Sequence, residues 1–534
     1  MRLGVLGLVL ATATGLPLSA APPKVTHLFP SGAKRGSSVE VQIVGTVETW
    51  PPGIHIGGTG LEVSPRPEKG KLAVRVDPDA APGLRWIRIF TAEGTAAPRP
   101  FVVGTIDEIL EIEPNDSPAQ ANEIKLAQAT INGRLGKSGD VDAFAVPLTK
   151  GQTLVASLDA FRRLKSPMDA VLQIVSEQGF VLAQDDDDSG FDPLLAYTAT
   201  ADGRFIVRTF AFPAQPDSTI GFAGGEAYVY RLTLTTGPFA DYLFPLTAEL
   251  GRGAECIPVG WNISAGPAMA IVGPFASAGR IDVQSGAFPC PAIFHATPFP
   301  VILETGLTTR SEPQEIPFPS AVSGRIDSSG DVDVFRVHAP KGQKLRLSVE
   351  SRALGRPLDP VLRLFDKSGK KLAESDDASN ENRDAEIVQA MPDEGELLIE
   401  IEDLHHRGGW RYAYALLVSA PEPDFSLYLG SEGLAVVIDK PTEVVVTVER
   451  RHDFNREIEI GALDLPPGVE VDAVKSAPQG DSSKSVKLVL KALADARPWS
   501  CPIRITGRTP GDSPVERAAE AWLTVLLAPV APAK

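Results

Sequence analysis

Gly133-Arg134-Leu135, followed by Ser138-Gly139-Asp140-Val141-Asp142-Ala143-Phe144-Ala145-Val146, returns almost unchanged as Gly324-Arg325-Ile326 and Ser329-Gly330-Asp331-Val332-Asp333-Val334-Phe335-Arg336-Val337. The register between the two copies holds from Gly133 and Gly324 through Gly151-Gln152 and Gly342-Gln343, so one unit is present twice. A second pair flanks the first: Leu28-Phe29-Pro30, Gly36 and Val44-Gly45 match Leu243-Phe244-Pro245, Gly251 and Val259-Gly260. Internal repetition at domain scale describes a chain of modules. It favours a binding or scaffold protein over an enzyme with one site.

Working outward, the segments around these motifs read as short alternating strands. Val39-Glu40-Val41-Gln42-Ile43-Val44, Arg85-Trp86-Ile87-Arg88-Ile89-Phe90 and Glu443-Val444-Val445-Val446-Thr447-Val448 each alternate with the period of a half-buried strand. No long stretch carries helical periodicity, and the 48 glycines and 47 prolines suit tight turns between strands. The fold class expected is all-β, tandem β-sandwich domains of jelly-roll-like and immunoglobulin-like kind. With 534 residues the chain exceeds what one core supports. Residues 1–21 read as a secretory signal peptide, from Arg2 and the apolar run Leu3 to Leu10 to the small residues before Ala20 and Ala21. Then follow a β-sandwich at 22–104, the first repeat at 105–238, a reduced relative of the first sandwich at 239–310, the second repeat at 311–420, and a last sandwich at 424–528 beyond Pro421-Glu422-Pro423.

The net charge of −17 leaves no basic excess for nucleic acid, and no stretch approaches the length of a spanning helix, so no membrane insertion is expected. The acidity fits either cation binding or a soluble exported surface. Export, with a secreted, periplasmic or cell-surface location, permits disulfides, and Cys256 and Cys290 fall in one unit as a candidate bridge, leaving Cys501 as a free thiol. Hydrolase elbows, zinc helices and phosphate loops are missing from the sequence, so no catalytic residue is assigned.

Several motifs occur in order within the first repeat: Glu111-Ile112-Glu113-Pro114-Asn115-Asp116, then Gly139-Asp140-Val141-Asp142-Ala143-Phe144, Met168-Asp169-Ala170-Val171-Leu172, Gly179, the run Asp185 to Asp188, and Gly203-Arg204-Phe205. In this order they resemble the bacterial pre-peptidase C-terminal domain, a jelly-roll-like sandwich related to the collagen-binding domains of clostridial collagenases. More loosely, 22–104 and 239–310 resemble immunoglobulin-like plexin/transcription-factor (IPT/TIG) domains. The resemblance implies calcium at the first copy only, held by Glu111, Glu113, Asn115, Asp116, Asp140 and Asp142. Calcium takes six to eight hard oxygen ligands, which carboxylates and one amide supply. The same residues also satisfy plain turn chemistry. In the second copy the leading segment reads as Glu312-Pro313-Gln314-Glu315, without the Glu-x-Glu, although Asp331 and Asp333 persist.

The runs Asp185 to Asp188 and Ser375-Asp376-Asp377 read chiefly as charge on a sheet edge, and His405-His406 as an exposed loop pair. Of the aromatic residues Phe191, Phe210, Phe212, Tyr228 and Tyr230, most read as core. The function expected is a secreted, non-catalytic binding protein that engages an extracellular protein fibre or a polysaccharide. A structural spacer of the envelope or matrix, and a peptidase-associated or hydrolytic enzyme with an unfamiliar site, are the alternatives.

Overall fold

The computed structural model describes residues 21–187, 190–213, 221–252, 254–263, 269–271, 277–283, 292–306, 308–379, 382–393 and 395–527. The expected signal peptide up to residue 20, Asp188, Cys290 and the tail from Ala528 lie outside the described residues. Apart from the one-turn helix Phe161–Leu164 and the 3-10 turns Arg352–Leu354 and Asp481–Ser483, every described element is a strand. No helix is long and apolar enough to cross a membrane.

The first unit packs a four-stranded sheet, Lys24–Phe29, Ser38–Thr46, Lys71–Val76 and Leu61–Pro65 in spatial order, on a second sheet built from Gly32–Lys34, Arg99–Gly104, Gly83–Thr91 and Gly53–Gly57. Alternation puts Val41, Leu72, Val74, Ile87, Ile89 and Phe101 between the layers, each at most 1% exposed. The Val-Gly that ends the repeated motif has a steric origin. Lys24–Phe29 pairs with Ser38–Thr46 through a register break between Val25 and His27, opposite Gly45. A Cβ on Gly45 would lie 2.1 Å from the Lys24 carbonyl oxygen. In the third unit Phe239–Phe244 breaks register against Ala254–Trp261 between Ala240 and Tyr242, and a Cβ on Gly260 would lie 2.0 Å from Phe239 O. The motif therefore encodes one β-bulge, used twice.

Each repeat is a sandwich of two five-stranded sheets with the same strand order. In the first, one sheet runs Glu108–Leu110, Gln128–Arg134, Val229–Thr235, Thr153–Asp159, Leu194–Thr198, and the other Asn122–Glu123, Asp142–Leu148, Gly203–Phe212, Asp169–Ser176, Val181–Asp185. The second repeats this order from Val301–Leu303, which pairs with Ser320–Arg325, and from Gln314–Ile316, which pairs with Asp333–His338. Two sequence expectations change here. The second repeat begins at Val301 and not at 311, because Val301–Leu303 is the edge strand of its sheet. Gln314–Ile316 is the counterpart of Asn122–Glu123, so Glu312-Pro313-Gln314-Glu315 does not match the calcium-type leading segment.

A third unit of two three-stranded sheets lies between the repeats, and the last unit packs four strands on five, with Phe425, Val446, Leu488, Ile460 and Ile505 in its core. Buried arginines join the units. Arg231 of the first repeat binds Glu108 at 2.8 Å and the first unit's Val102 O at 3.3 Å. Asp241, from the third unit, lies between Arg356 at 2.5 Å and Arg411 at 2.8 Å of the second repeat. Cys256 is a buried free thiol whose pKa burial pushes up to about 12. Cys501 is likewise free and half-buried.

Candidate metal centre

The leading segment of the first repeat is pinned from both sides before its carboxylates are placed. Glu111 N donates to Asn132 O at 3.2 Å, and Asn122 clasps Ile112 through a pair of bonds, Ile112 N to Oδ1 at 2.7 Å and Nδ2 to Ile112 O at 2.8 Å. Asn115 is fully buried, and its carbonyl accepts from Ala143 N at 3.1 Å, which sets the segment beside the strand that opens with Asp142. Gly133 makes room: a Cβ there would lie 2.2 Å from the Tyr230 hydroxyl and 2.5 Å from Glu111 Oε2. This accounts for the glycine of the repeated Gly-Arg.

Glu111, Glu113, Asn115, Asp116, Asp140 and Asp142 come together. Ligand atoms of Glu113, Asp140 and Asp142 lie within 4.8 Å of one another, the single such His/Cys/Asp/Glu group among the described residues. Asn115 abuts Asp142 Oδ1 and Glu113 Oε2 at 3.1 Å each: with its amide nitrogen facing them it donates to both, and turned over it adds an oxygen to theirs. Asp116 is exposed and adds its charge to those facing Asp140 and Glu113. Lys137, from the turn before Asp140, is the cation nearest this group that bears on it.

The centre holds more negative charge than its donors satisfy. The Tyr230 hydroxyl lies 2.6 Å from Asp142 Oδ2 and 3.1 Å from Glu111 Oε2, yet one phenolic proton serves one acceptor at a time. Burial and then the neighbouring Glu111 charge push Asp142 up to about 10, and burial pushes Glu111 up to about 7. Burial raises Asp140 and Glu113 as well. Asp140 is 1% exposed; its Oδ2 accepts from Gly136 N at 2.6 Å, while its Oδ1 is buried with no hydrogen-bond partner. A buried carboxylate oxygen without a donor is costly unless a proton or a cation sits against it. The donor set is all hard oxygen, and it fits calcium.

The second repeat has a thinner version of this centre. Glu304 occupies the place of Glu111, with its N–H donating to Ser323 O at 3.0 Å. Asp333 bonds Tyr414 as Asp142 bonds Tyr230, and Asp331 accepts from Asp327 N at 2.9 Å. Burial pushes Asp333 up to about 8. Where the first copy has Glu113, Asn115 and Asp116, the second carries Gly306, Thr308 and Thr309, and the Thr308 hydroxyl accepts Val334 N at 2.7 Å.

Other sequence candidates separate from this centre. Asp185 accepts from Leu194 N at 2.9 Å, and Asp186 and Asp187 face Asp169 on the opposite side of their loop. His405 and His406 approach Asp359 at 3.9 Å and Glu402 at 3.7 Å as separate pairs. Phe210 and Tyr230 are core, whereas Phe191 and Phe212 are exposed, with Phe191 edge-on to Phe161 at 4.8 Å. Three pairs of side chains escaped the sequence reading: Tyr230 and Tyr414, Asn122 and Gln314, and Asp192 and Asp384. Asp192 caps the turn at 160–162 through three backbone N–H groups, and Asp384 caps 351–353 in the same way. For the tyrosines the available signal was the Tyr-x-Tyr that recurs as Tyr228-Val229-Tyr230 and Tyr412-Ala413-Tyr414.

No family model matches the chain. Among curated proteins it is similar to a "Probable subtilase-type serine protease" of Deinococcus radiodurans, 29% identical over 119 residues. That match takes in 21% of this chain and 16% of the length of the relative. Among solved structures it is similar to the pre-peptidase C-terminal domain of a Bacillus anthracis collagenase, at 16% identity and a TM-score of 0.17, over 20% of this chain and 95% of that one. It is also similar to the insect immune protein hemolin, at 10% identity and a TM-score of 0.24, over 95% of this chain and 100% of that one.

Proposed function

We propose that this chain is a secreted, non-catalytic, multidomain binding protein whose first repeat is stabilised by calcium and which engages an extracellular protein fibre or a polysaccharide. The observation that supports it most is the buried, partnerless Asp140 Oδ1 inside a group of hard oxygen donors. Glu111, Glu113, Asn115, Asp116, Asp140 and Asp142 would hold the ion, and its double positive charge would offset the burial and repulsion that otherwise keep protons on Asp142 and Glu111. The ion has a structural role: it fixes the leading segment to the sheet and so orients the first repeat on the first unit. Modules presented in fixed order gain from simultaneous weak contacts.

Calorimetric titration of the intact chain with calcium, paired with melting in calcium and in EDTA, tests this. One ion per chain and a higher melting temperature in calcium are expected. No heat at millimolar calcium and identical melting curves would remove the ion from the proposal. A rigid spacer of the envelope or matrix is the second reading, favoured by the buried Arg231–Val102 O hydrogen bond and Asp241–Arg356 ion pair that lock neighbouring units.

A further inference from the structure

The last unit folds back onto the first, and a cleft of about 710 Å³ lies where they meet, with Lys165 of the first repeat on its rim. The contact is specific. Trp522 packs against His55 with ring centroids 4.9 Å apart and against Phe90 at 5.3 Å, and the Arg88 guanidinium lies 5.2 Å from the Trp522 ring centre. Trp522 Nε1 donates to Ser500 Oγ at 2.6 Å, which fixes the indole on its own sheet.

The walls of the cleft combine a flat apolar face with an excess of hydrogen-bond donors. Trp86 is 37% exposed, and its neighbour across the strand pair is Gly57, so no side chain from that strand covers the indole. Arg88 is 9% exposed; Nη1 donates to Ala96 O at 3.0 Å, but Nη2 stands 3.6 Å from Glu432, too far for a good hydrogen bond. Arg99 makes one hydrogen bond among the described residues, Nε to Val25 O at 2.7 Å, leaving both terminal nitrogens to the cleft. Lys165 is exposed and forms no ion pair among the described residues. Against these three cations stand Glu432 and Glu520. In a chain of net charge −17, a pocket with more cations than anions is a local reversal of sign. Burial shifts Arg88 and Arg99 both down, and Glu432 opposes the shift without cancelling it.

We infer that this cleft binds a carboxylated oligosaccharide, one uronate ring lying on Trp86 and its carboxylate meeting the free nitrogens of Arg99 and Lys165. A pyranose has one apolar face of C–H groups, which suits an exposed indole, and a carboxylate suits the planar fork of arginine. Glu520 and Thr95 line the same space and accept from sugar hydroxyls. Such a ligand would also bridge the first and last units. The inference rests on the binding reading above, but it uses none of the residues of the metal centre.

The test is titration of the intact chain with a tetragalacturonide in EDTA, followed by tryptophan fluorescence and calorimetry, with a neutral glucose tetramer as control. Saturable binding of the uronate and not of the glucan is expected, weakened at least about tenfold by Trp86→Ala and by Arg99→Gln. Lys165→Gln, at an exposed position, serves in place of Arg99→Gln should that variant fold poorly. No binding at millimolar uronate, equal binding of the neutral tetramer, or unchanged affinity in the folded variants would overturn the inference. Calcium titration of the same proteins after removal of EDTA separates the two proposals: normal calcium binding without uronate binding sinks this one alone.

Discussion

The two repeats share strand order, core and capping turns, yet differ in how they treat the same buried carboxylate. In the first, Asp142 has Glu111, Glu113 and Asp140 around it, and as neutral donors Tyr230 and, in one amide orientation, Asn115. In the second, Asp333 keeps Tyr414, Glu304 and Asp331 but has lost the Glu113 and Asn115 positions to Gly306 and Thr308. The two copies share the Asp–Tyr bond, the glycine beside it, Glu111 or Glu304, and Asp140 or Asp331. Charge beyond that is not needed to build the sandwich. The first copy carries it at an electrostatic cost that a cation would offset, and the second lacks it.

The largest effect expected follows from that contrast. Asp140→Asn should abolish calcium binding to the intact chain and with it the stabilisation, about 2.7 kcal/mol at roughly a hundredfold excess of calcium over Kd. In EDTA the same variant should melt above the native protein, because one buried charge has gone. Asp331→Asn should leave calcium binding untouched. A variant of Asp140 that is less stable in EDTA would break the distinction between a metal centre and a hydrogen-bonded turn.

Next comes pH. Asp333, held at about 8 in the folded chain against 3.8 ordinarily, binds its proton more tightly when folded. Its stabilising contribution is complete below about pH 4 and is lost as pH rises through about 8, with a slope of up to about 1.4 kcal/mol per pH unit. Hydrogen exchange of the Asp333–His338 strand should quicken over that window, and Asp333→Asn should flatten the profile. An unchanged slope in that variant would place the titrating group elsewhere.

The repetition and the all-β class were legible in the sequence, because motif spacing survives duplication and strand alternation is local, whereas the grouping of Glu111, Glu113, Asn115, Asp116, Asp140 and Asp142 came from the family resemblance. The second copy was misread at its start. Glu304 follows Leu303 as Glu111 follows Leu110, but without Pro-Asn-Asp behind it nothing local marks the position, and only parallel pairing to Ser320–Arg325 reveals it. Tyr230 and Tyr414 were invisible for a different reason: a core aromatic and a core aromatic whose hydroxyl binds a buried carboxylate have the same pattern in a strand. The meeting of Trp522 with His55 and Arg88 joins residues from opposite ends of the chain, and no periodicity reports such a contact.

A smaller effect is expected at the repeated glycine. Gly133→Ala and Gly324→Ala each push a methyl into a tyrosine ring, at 2.2 Å from Tyr230 and 2.4 Å from Tyr414. Both should cost about 1 to 3 kcal/mol in urea unfolding. Only Gly133→Ala should also weaken calcium binding, since its methyl meets Glu111 Oε2 as well. Equal loss of calcium in both variants would mean that the second copy contributes ligands.

The finest discrimination lies in the clasp on the leading segment. Asn122 holds Ile112 by two hydrogen bonds, and Gln314 makes the matching pair with Thr305 N at 2.9 Å and Leu303 O at 2.8 Å. Both clasps are at the surface, so Asn122→Ala and Gln314→Ala should each cost only about 1 kcal/mol. Ile112, however, separates Glu111 from Glu113, so slack there moves two carboxylates against the rest of the centre. Asn122→Ala should therefore lower calcium affinity several-fold beyond its effect on stability, while Gln314→Ala changes stability alone. If calcium affinity in Asn122→Ala stays native, the ion itself organises the segment, and the clasp serves the fold equally in both copies.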